Sequence, residues 1–81
     1  MDRKEFERKF SFIQEKINGL VHVCGSGFII YADNYRIKDV GEELYIVFLI
    51  LNNTETCGIE LASIEDLFWI WTKRNWIMAL K

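Results

Sequence analysis

The 81-residue sequence contains no proline, no internal repeat and no low-complexity stretch. Nothing in it therefore resembles a linker, and a chain of this length is too short for two domains. We predict a single domain over residues 1–81. Cysteine is also scarce, and the two that occur, Cys24 and Cys57, match no disulfide framework and no zinc-binding spacing. We expect both to be reduced thiols, with no metal and no cofactor.

Long apolar segments are missing as well. The longest apolar run, from Leu44 to Leu51, is far shorter than the roughly 20 residues that a membrane-spanning helix needs. The stretch from Asp2 to Lys9 is densely charged and no apolar core of a signal peptide follows it. These absences predict a cytoplasmic protein with no membrane partner.

Neither sign of charge dominates, because 10 basic side chains face 12 acidic ones and the net charge is −2. Domains that bind nucleic acid usually carry a clear excess of basic residues on one face. The acidic residues here are concentrated between Asp33 and Glu60, in predicted turns that include Glu42 and Glu43. The charge distribution argues against a nucleic-acid partner and makes the acidic turns a candidate protein-contact surface.

Large apolar side chains are abundant. Hydrophobic residues make up 51% of the chain and aromatic residues 15%. A domain this small buries only about 60% of the surface that its unfolded chain exposes, so it needs bulky side chains to build a core. The composition therefore predicts a folded domain.

An apolar stripe at helical spacing predicts an N-terminal helix. Its members are Phe6, Phe10, Ile13 and Ile17. Asn18-Gly19 is expected to end this helix, with Gly19 as a left-handed cap. Phe12 lies off the stripe, which places it at the rim of the core or in a contact surface.

After Leu20 the apolar pattern has a period of two, beginning with Val21 and Val23. Gly25-Ser26-Gly27 is expected to form a turn or bulge. The pattern then predicts a four-stranded antiparallel meander with strands at Phe28–Ala32, Tyr35–Asp39, Leu44–Leu51 and Cys57–Leu61. Because Leu44–Leu51 is uninterrupted, we expect it to be a central strand with both faces covered.

Ser63, with Asp66 three residues later, resembles the start of a second helix. If this helix continued to Lys81 it would be apolar all round, which a small domain cannot bury. We favour a helix that ends near Arg74, followed by a short strand from Trp76 to Leu80. The predicted fold is α+β, with the element order α-β-β-β-β-α-β.

Few residues suggest chemistry. His22 and Cys24 alternate on one predicted strand and could contribute to a zinc site with Cys57, or act as base and nucleophile. No third group that would orient the histidine is evident. Gly25-Ser26-Gly27 lacks the lysine of a phosphate-binding loop. We therefore predict no enzymatic activity.

Two hypotheses of nucleic-acid binding arise from the sequence. The element order resembles that of the double-stranded RNA-binding domain, but Ile64, Glu65 and Asp66 stand where that family carries basic residues. A single-strand stacking platform could be formed by tyrosines and neighbouring cations, namely Tyr31, Tyr35, Tyr45, Arg36 and Lys38. The surrounding acids argue against it.

The aromatic residues point instead to a protein partner. Trp69 lies off the main apolar face in both versions of the second helix, and exposed tryptophans are enriched at binding hot spots. The candidate contact residues are Trp69, Phe12, Trp76, Glu42 and Glu43. Two helices can hardly cover both faces of such an apolar sheet, which suggests a homodimer or another protein as the partner.

We accordingly predict a small non-enzymatic protein-binding module, of the type of an inhibitor, immunity protein or regulator from a phage or mobile element. The alternatives are a nucleic-acid-associated protein and, third, a small enzyme or metal site around His22 and Cys24.

Overall fold

A computed structural model describes residues 1–17 and 20–69 of the chain. Within these ranges the fold is mixed α+β, with one N-terminal helix and six strands in two three-stranded antiparallel sheets. The predicted cap at Gly19 and the predicted strand from Trp76 to Leu80 lie outside the described residues.

Helix α1 (Arg3–Ile17) confirms the predicted N-terminal helix. Asp2 is its N-cap, because Oδ1 of Asp2 accepts a hydrogen bond of 2.8 Å from the backbone N–H of Glu5. The stripe residues Phe6, Phe10 and Ile13 are almost completely buried. The helix is therefore held by its apolar face rather than by intrinsic propensity.

The strands form two sheets, which we name the first and the second sheet. In chain order they are β1 (Val21–Gly25), β2 (Phe28–Ala32), β3 (Asn34–Gly41), β4 (Leu44–Leu51), β5 (Thr54–Glu60) and β6 (Ile64–Phe68). The first sheet has the order β2-β1-β6 and the second sheet the order β3-β4-β5. A short 3-10 helix, η1 (Leu61–Ser63), joins β5 to β6.

The chain passes directly from one sheet to the other at Asp33, between β2 and β3. The backbone N–H of Asp33 donates to the carbonyl of Ile50 at 2.9 Å, and the Asp33 carboxylate accepts from the N–H of Asn52 at 3.0 Å. The side-chain amide of Gln14 donates to the Asp33 carbonyl. Bends of this kind let strands of two packed sheets share one core, and here the bend is tied to both α1 and β4.

The core lies between α1 and the inner faces of the two sheets. Its buried apolar residues are Phe6, Phe10, Ile13, Val21, Val23, Ala32, Val47, Leu49, Leu61, Ile64 and Leu67. The Tyr35 ring packs edge-on against Phe6 and Phe10, with centroids 5.0 and 4.7 Å away. The two sheets and the helix thus form one packing unit.

The predicted four-stranded meander is wrong, because six strands in two sheets replace it. The segment after Leu20 is a full strand, β1, and it is the central strand of the first sheet. The Gly25-Ser26-Gly27 turn is confirmed, since it connects β1 to β2. The central position of Leu44–Leu51 is also confirmed, but its cover is complete on the inner face only, where Val47 and Leu49 are buried.

The predicted second helix is wrong over the described residues, because residues 64–68 form strand β6. The inward residues Ile64 and Leu67 are three apart, which suits a helix. A β-bulge explains this spacing: Gly25 pairs with Ile64 and Cys24 with Asp66, so that Glu65 is an extra residue on β6. The bulge turns both Ile64 and Leu67 towards the core.

Candidate protein-contact surfaces

Phe12 on α1 and Trp69 after β6 lie together at the surface. Their ring centroids are 6.4 Å apart and tilted by 56°. Phe12 is exposed, at 50%, whereas Trp69 is only partly accessible to solvent. Around them runs an open groove of about 400 Å³, lined by Arg8, Lys9, Phe12, Ile13 and Trp69. We name it the Phe12–Trp69 groove.

The groove forms because two rows of side chains on α1 face the end of β6. Arg8 and Phe12 are four residues apart, as are Lys9 and Ile13, so each pair lies on adjacent turns of the helix. Nζ of Lys9 forms a 2.8 Å salt bridge with Oδ1 of Asp66 on β6. This salt bridge joins α1 to the strand that leads to Trp69.

The two cations of the groove have different surroundings. Lys9 lies between Asp66 and Glu5, whose Oε1 is 3.3 Å away, and the hydrogen bonds to these carboxylates raise the pKa of Lys9. Arg8 is exposed, and among the described residues no salt bridge engages it. Arg8 is therefore the cation of the groove that can serve a ligand.

Acid should weaken the link between α1 and β6. The hydrogen bond from Lys9, reinforced by the backbone N–H of Leu67, lowers the pKa of Asp66 below its ordinary value of 3.8. Because folding lowers this pKa, the ionised Asp66 carboxylate stabilises the folded protein at pH values above its pKa in the unfolded chain. This stabilisation is lost as the pH falls through the pKa of Asp66 in the folded protein. In an NMR titration, Lys9→Met should raise the pKa of Asp66.

A matched control for that titration is Arg3→Met, which removes the 3.1 Å Arg3–Glu7 pair on the same helix. It should leave the Asp66 titration unchanged. The same Asp66 pKa in the wild type and in Lys9→Met would contradict the assignment.

Glu42 and Glu43 form the turn between β3 and β4. Both have positive φ angles, 53° and 61°, as in the two-residue hairpin turns that asparagine and glycine normally occupy. Glu43 lines a second hollow together with residues at the start of α1, Asp2 and Arg3 among them. Phe12 is nine residues further along the helix than Arg3, about 13 Å. The structure thus places the acidic turn and the Phe12–Trp69 groove on separate surfaces. The remaining contact candidate, Trp76, lies outside the described residues.

His22 and Cys24 are packing residues in this structure. His22 is buried, at 7% exposure, and its ring lies between Tyr31 and Phe68, with centroids 4.5 and 5.3 Å away. The Cys24 thiol donates to the backbone carbonyl of Asp66 at 3.4 Å. Cys57 is in the other sheet, on β5. Within residues 1–17 and 20–69, no group of three or more His, Cys, Asp or Glu could hold a metal ion.

The three tyrosines of the stacking-platform hypothesis are divided between the two sheets. Tyr35 packs against the core aromatics of α1, and Tyr45 lies beneath Arg3, whose guanidinium carbon is 5.5 Å from the ring centroid. Tyr31 is on the first sheet, 49% exposed. A single-strand platform would need these rings side by side.

The outer faces of the sheets carry further contact candidates; the sequence predicted surplus apolar surface on the sheet but not which residues form it. On the first sheet, Ile29 is 58% exposed next to Tyr31. On the second sheet, Ile46 of β4 lies between Lys38 on β3 and Glu60 on β5, and Phe48 lies beside Arg36 on β3. The outward period of Arg36 and Lys38 was visible in the sequence, but their neighbours depend on the strand register.

Searches against protein-family models, curated proteins and solved structures gave no match. In the part of the chain that the structure describes, no helix is long and apolar enough to cross a membrane. The fold therefore defines a small α+β domain.

Proposed function

We propose that this protein is a non-enzymatic protein-binding module that works in the cytoplasm and holds its partner in the Phe12–Trp69 groove. We propose in particular an inhibitor, immunity protein or regulator of the phage or mobile-element type. The observation that carries the proposal is the half-exposed Phe12 ring, which lies against Trp69 and one helical turn from the exposed Arg8.

This combination has a physical rationale. Half of a phenylalanine ring exposed to water is unfavourable at about 25 cal/mol per Å² of apolar surface, and a partner that covers it recovers that free energy. Aromatic residues and arginine are enriched at interfaces, and a few such residues carry most of the binding energy. The Phe12–Trp69 groove contains two aromatic residues, Phe12 and Trp69, and one arginine, Arg8.

The groove also indicates the chemistry of its partner. Its floor is apolar, from Phe12, Ile13 and Trp69, and its accessible charge is the guanidinium of Arg8. Arginine pairs well with carboxylates because its planar fork can form two parallel hydrogen bonds. We infer that the partner presents an apolar side chain with an aspartate or glutamate beside it.

The test is an affinity purification from an extract of the host cells, with and without nuclease. We expect one protein to be retained in near-equal amount regardless of nuclease, and to bind again when both proteins are purified. Phe12→Ala should then raise the Kd by at least about 30-fold, because hot-spot side chains contribute 2 kcal/mol or more. Arg8→Glu should weaken binding in a salt-dependent manner.

Val40→Ala is the matched control, because Val40 is an equally exposed apolar residue, at 45%, on β3. It should leave the Kd unchanged. Retention that disappears with nuclease would indicate a nucleic-acid-associated protein instead. Binding that survives both Phe12→Ala and Arg8→Glu would place the contact elsewhere.

A further inference from the structure

The outer face of the second sheet carries three parallel rows of different chemistry. The middle row is apolar and belongs to β4, the row on β3 is basic, and the row on β5 is acidic. We name this surface the striped face; its residues are Ile46, Phe48 and Ile50 in the middle, Arg36 and Lys38 on β3, and Glu55 and Glu60 on β5. Such an arrangement is not required by the core, which lies on the other side of the sheet.

The strand register aligns the rows. Ile46 lies between Lys38 on β3 and Glu60 on β5. One step along, Phe48 lies between Arg36 and Gly58. At the third position Ile50 lies between Asn34 and Glu55. The cations therefore lie on one side of the apolar row and the carboxylates on the other, with opposite charges directly across it at Ile46.

At the centre of the striped face, the guanidinium group of Arg36 lies over the ring of Phe48. The guanidinium carbon of Arg36 is 4.4 Å from the centroid of the Phe48 ring, and Nη2 of Arg36 lies 3.0 Å from Oε1 of Glu55. On its other side the ring approaches Gly58, where an added Cβ would be 2.9 Å from the ring. The charge of the Arg36 guanidinium is thus balanced by Glu55 of the same chain, so that the centre of the striped face is close to neutral.

The order basic–apolar–acidic is self-complementary under one rotation. A two-fold axis parallel to β4 and above its outer side places the apolar row against its own copy. The same rotation exchanges left and right, so the basic row of each copy faces the acidic row of the other. Lys38 then faces Glu60 of the second copy, and Glu60 faces its Lys38. An axis across the strands would instead oppose like charges, which is unfavourable.

We propose that the striped face binds a second copy of this chain about this two-fold axis, with the two sheets packed face to face. Homodimers of this symmetry use the same patch on both subunits, and a patch that complements itself is what the symmetry requires. Aligned sheets pack about 10 Å apart, a gap that paired lysine and glutamate side chains can bridge. The contact does not involve the Phe12–Trp69 groove and does not depend on the proposed function.

The size of the face sets the expected strength. A strand of eight residues is about 27 Å long, and three strands span about 14 Å, so each copy contributes a footprint of about 400 Å². Stable interfaces bury about 800 Å² per partner. We therefore expect a weak, reversible dimer whose population rises with protein concentration.

Sedimentation equilibrium of the purified full chain, from about 10 μM to about 1 mM, measures this directly. The wild type should shift from monomer to dimer over the range and should stop there, because the two-fold contact closes on itself. Lys38→Glu should remain monomeric, since it places two carboxylates opposite each other. Glu60→Lys should remain monomeric for the corresponding reason with two cations.

The decisive experiment mixes these two variants. In the mixed pair every basic position faces an acidic one again, so Lys38→Glu and Glu60→Lys should form a heterodimer although neither dimerises alone. Lys4→Glu is the control, because it makes the same charge change at an exposed position of α1 and should dimerise like the wild type.

A wild type that stays monomeric at 1 mM would overturn the proposal. So would a dimer that both charge reversals leave intact, or variants that stay monomeric when mixed. Both substitutions are at exposed positions, and circular dichroism of each variant shows that the fold is retained before association is scored.

Discussion

Phe10→Ala is expected to lower the free energy of unfolding by about 3–5 kcal/mol, the usual cost of removing a buried phenylalanine side chain. Phe10 is completely buried, and its ring contacts both Phe6 and Tyr35, with centroids 5.7 and 4.7 Å away. The substitution therefore leaves a cavity at the place where α1 packs on the second sheet.

The effect is large relative to the whole protein. A domain of this size has a total stability on the order of 5–10 kcal/mol, and each kcal/mol shifts the Tm by about 4–8 °C. Phe10→Ala should thus lower the Tm by more than about 12 °C in a thermal scan, or leave the chain unfolded at room temperature.

Phe12→Ala is the matched control, because it removes the same ring from the same helix at a half-exposed position. We expect a loss of less than about 1 kcal/mol for it. Equal losses at the two positions would contradict the core described above. The control also shows whether the Phe12→Ala protein used in the partner experiment is folded.

Gly25→Ala is expected to cost about 3 kcal/mol, although it adds a single methyl group. An added Cβ at Gly25 would overlap the ring of Phe28 and the backbone carbonyl oxygen of Ser63. The ring can rotate away, but the Ser63 carbonyl is held by the junction of η1 with β6. Overpacking of this kind costs about 1–3 kcal/mol and occasionally more. Because Gly25 pairs with Ile64, hydrogen exchange should be faster at the β1–β6 ladder.

Gly58→Ala provides the comparison for this prediction. The three atoms nearest to an added Cβ at Gly58 belong to the side chains of Phe48 and Ile46 on the outer face, and these can move. Urea unfolding should show a loss of less than about 1 kcal/mol. If Gly25→Ala were as mild as Gly58→Ala, the close approach of β1 to η1 would be wrong.

The two proposed surfaces use different parts of the molecule, so they can be tested separately. The Phe12–Trp69 groove is formed by α1 and the residue that follows β6, whereas the striped face is formed by β3, β4 and β5. Phe12→Ala should leave self-association intact, and the Lys38 and Glu60 reversals should leave partner binding intact.

The sequence by itself determined the elements that depend on local pattern. The spacing of Phe6, Phe10 and Ile13 produces one apolar helical stripe, and that stripe is the face that α1 buries. The glycines at 25 and 27 mark the turn between β1 and β2. The continuous apolar run of Leu44–Leu51 marks the central strand of the second sheet. In each case neighbours along the chain carry the information.

The tertiary structure alone decided the rest. Ile64 and Leu67 have the spacing of a helix, and only the bulge opposite Gly25 makes that spacing fit a strand. Phe12 and Trp69 were both candidates, but their contact depends on how α1 crosses the end of β6. The striped face depends on strand register, because a shift of one residue moves every side chain to the opposite face. These features depend on how separate segments pack and pair with one another, and a local sequence pattern does not specify that pairing.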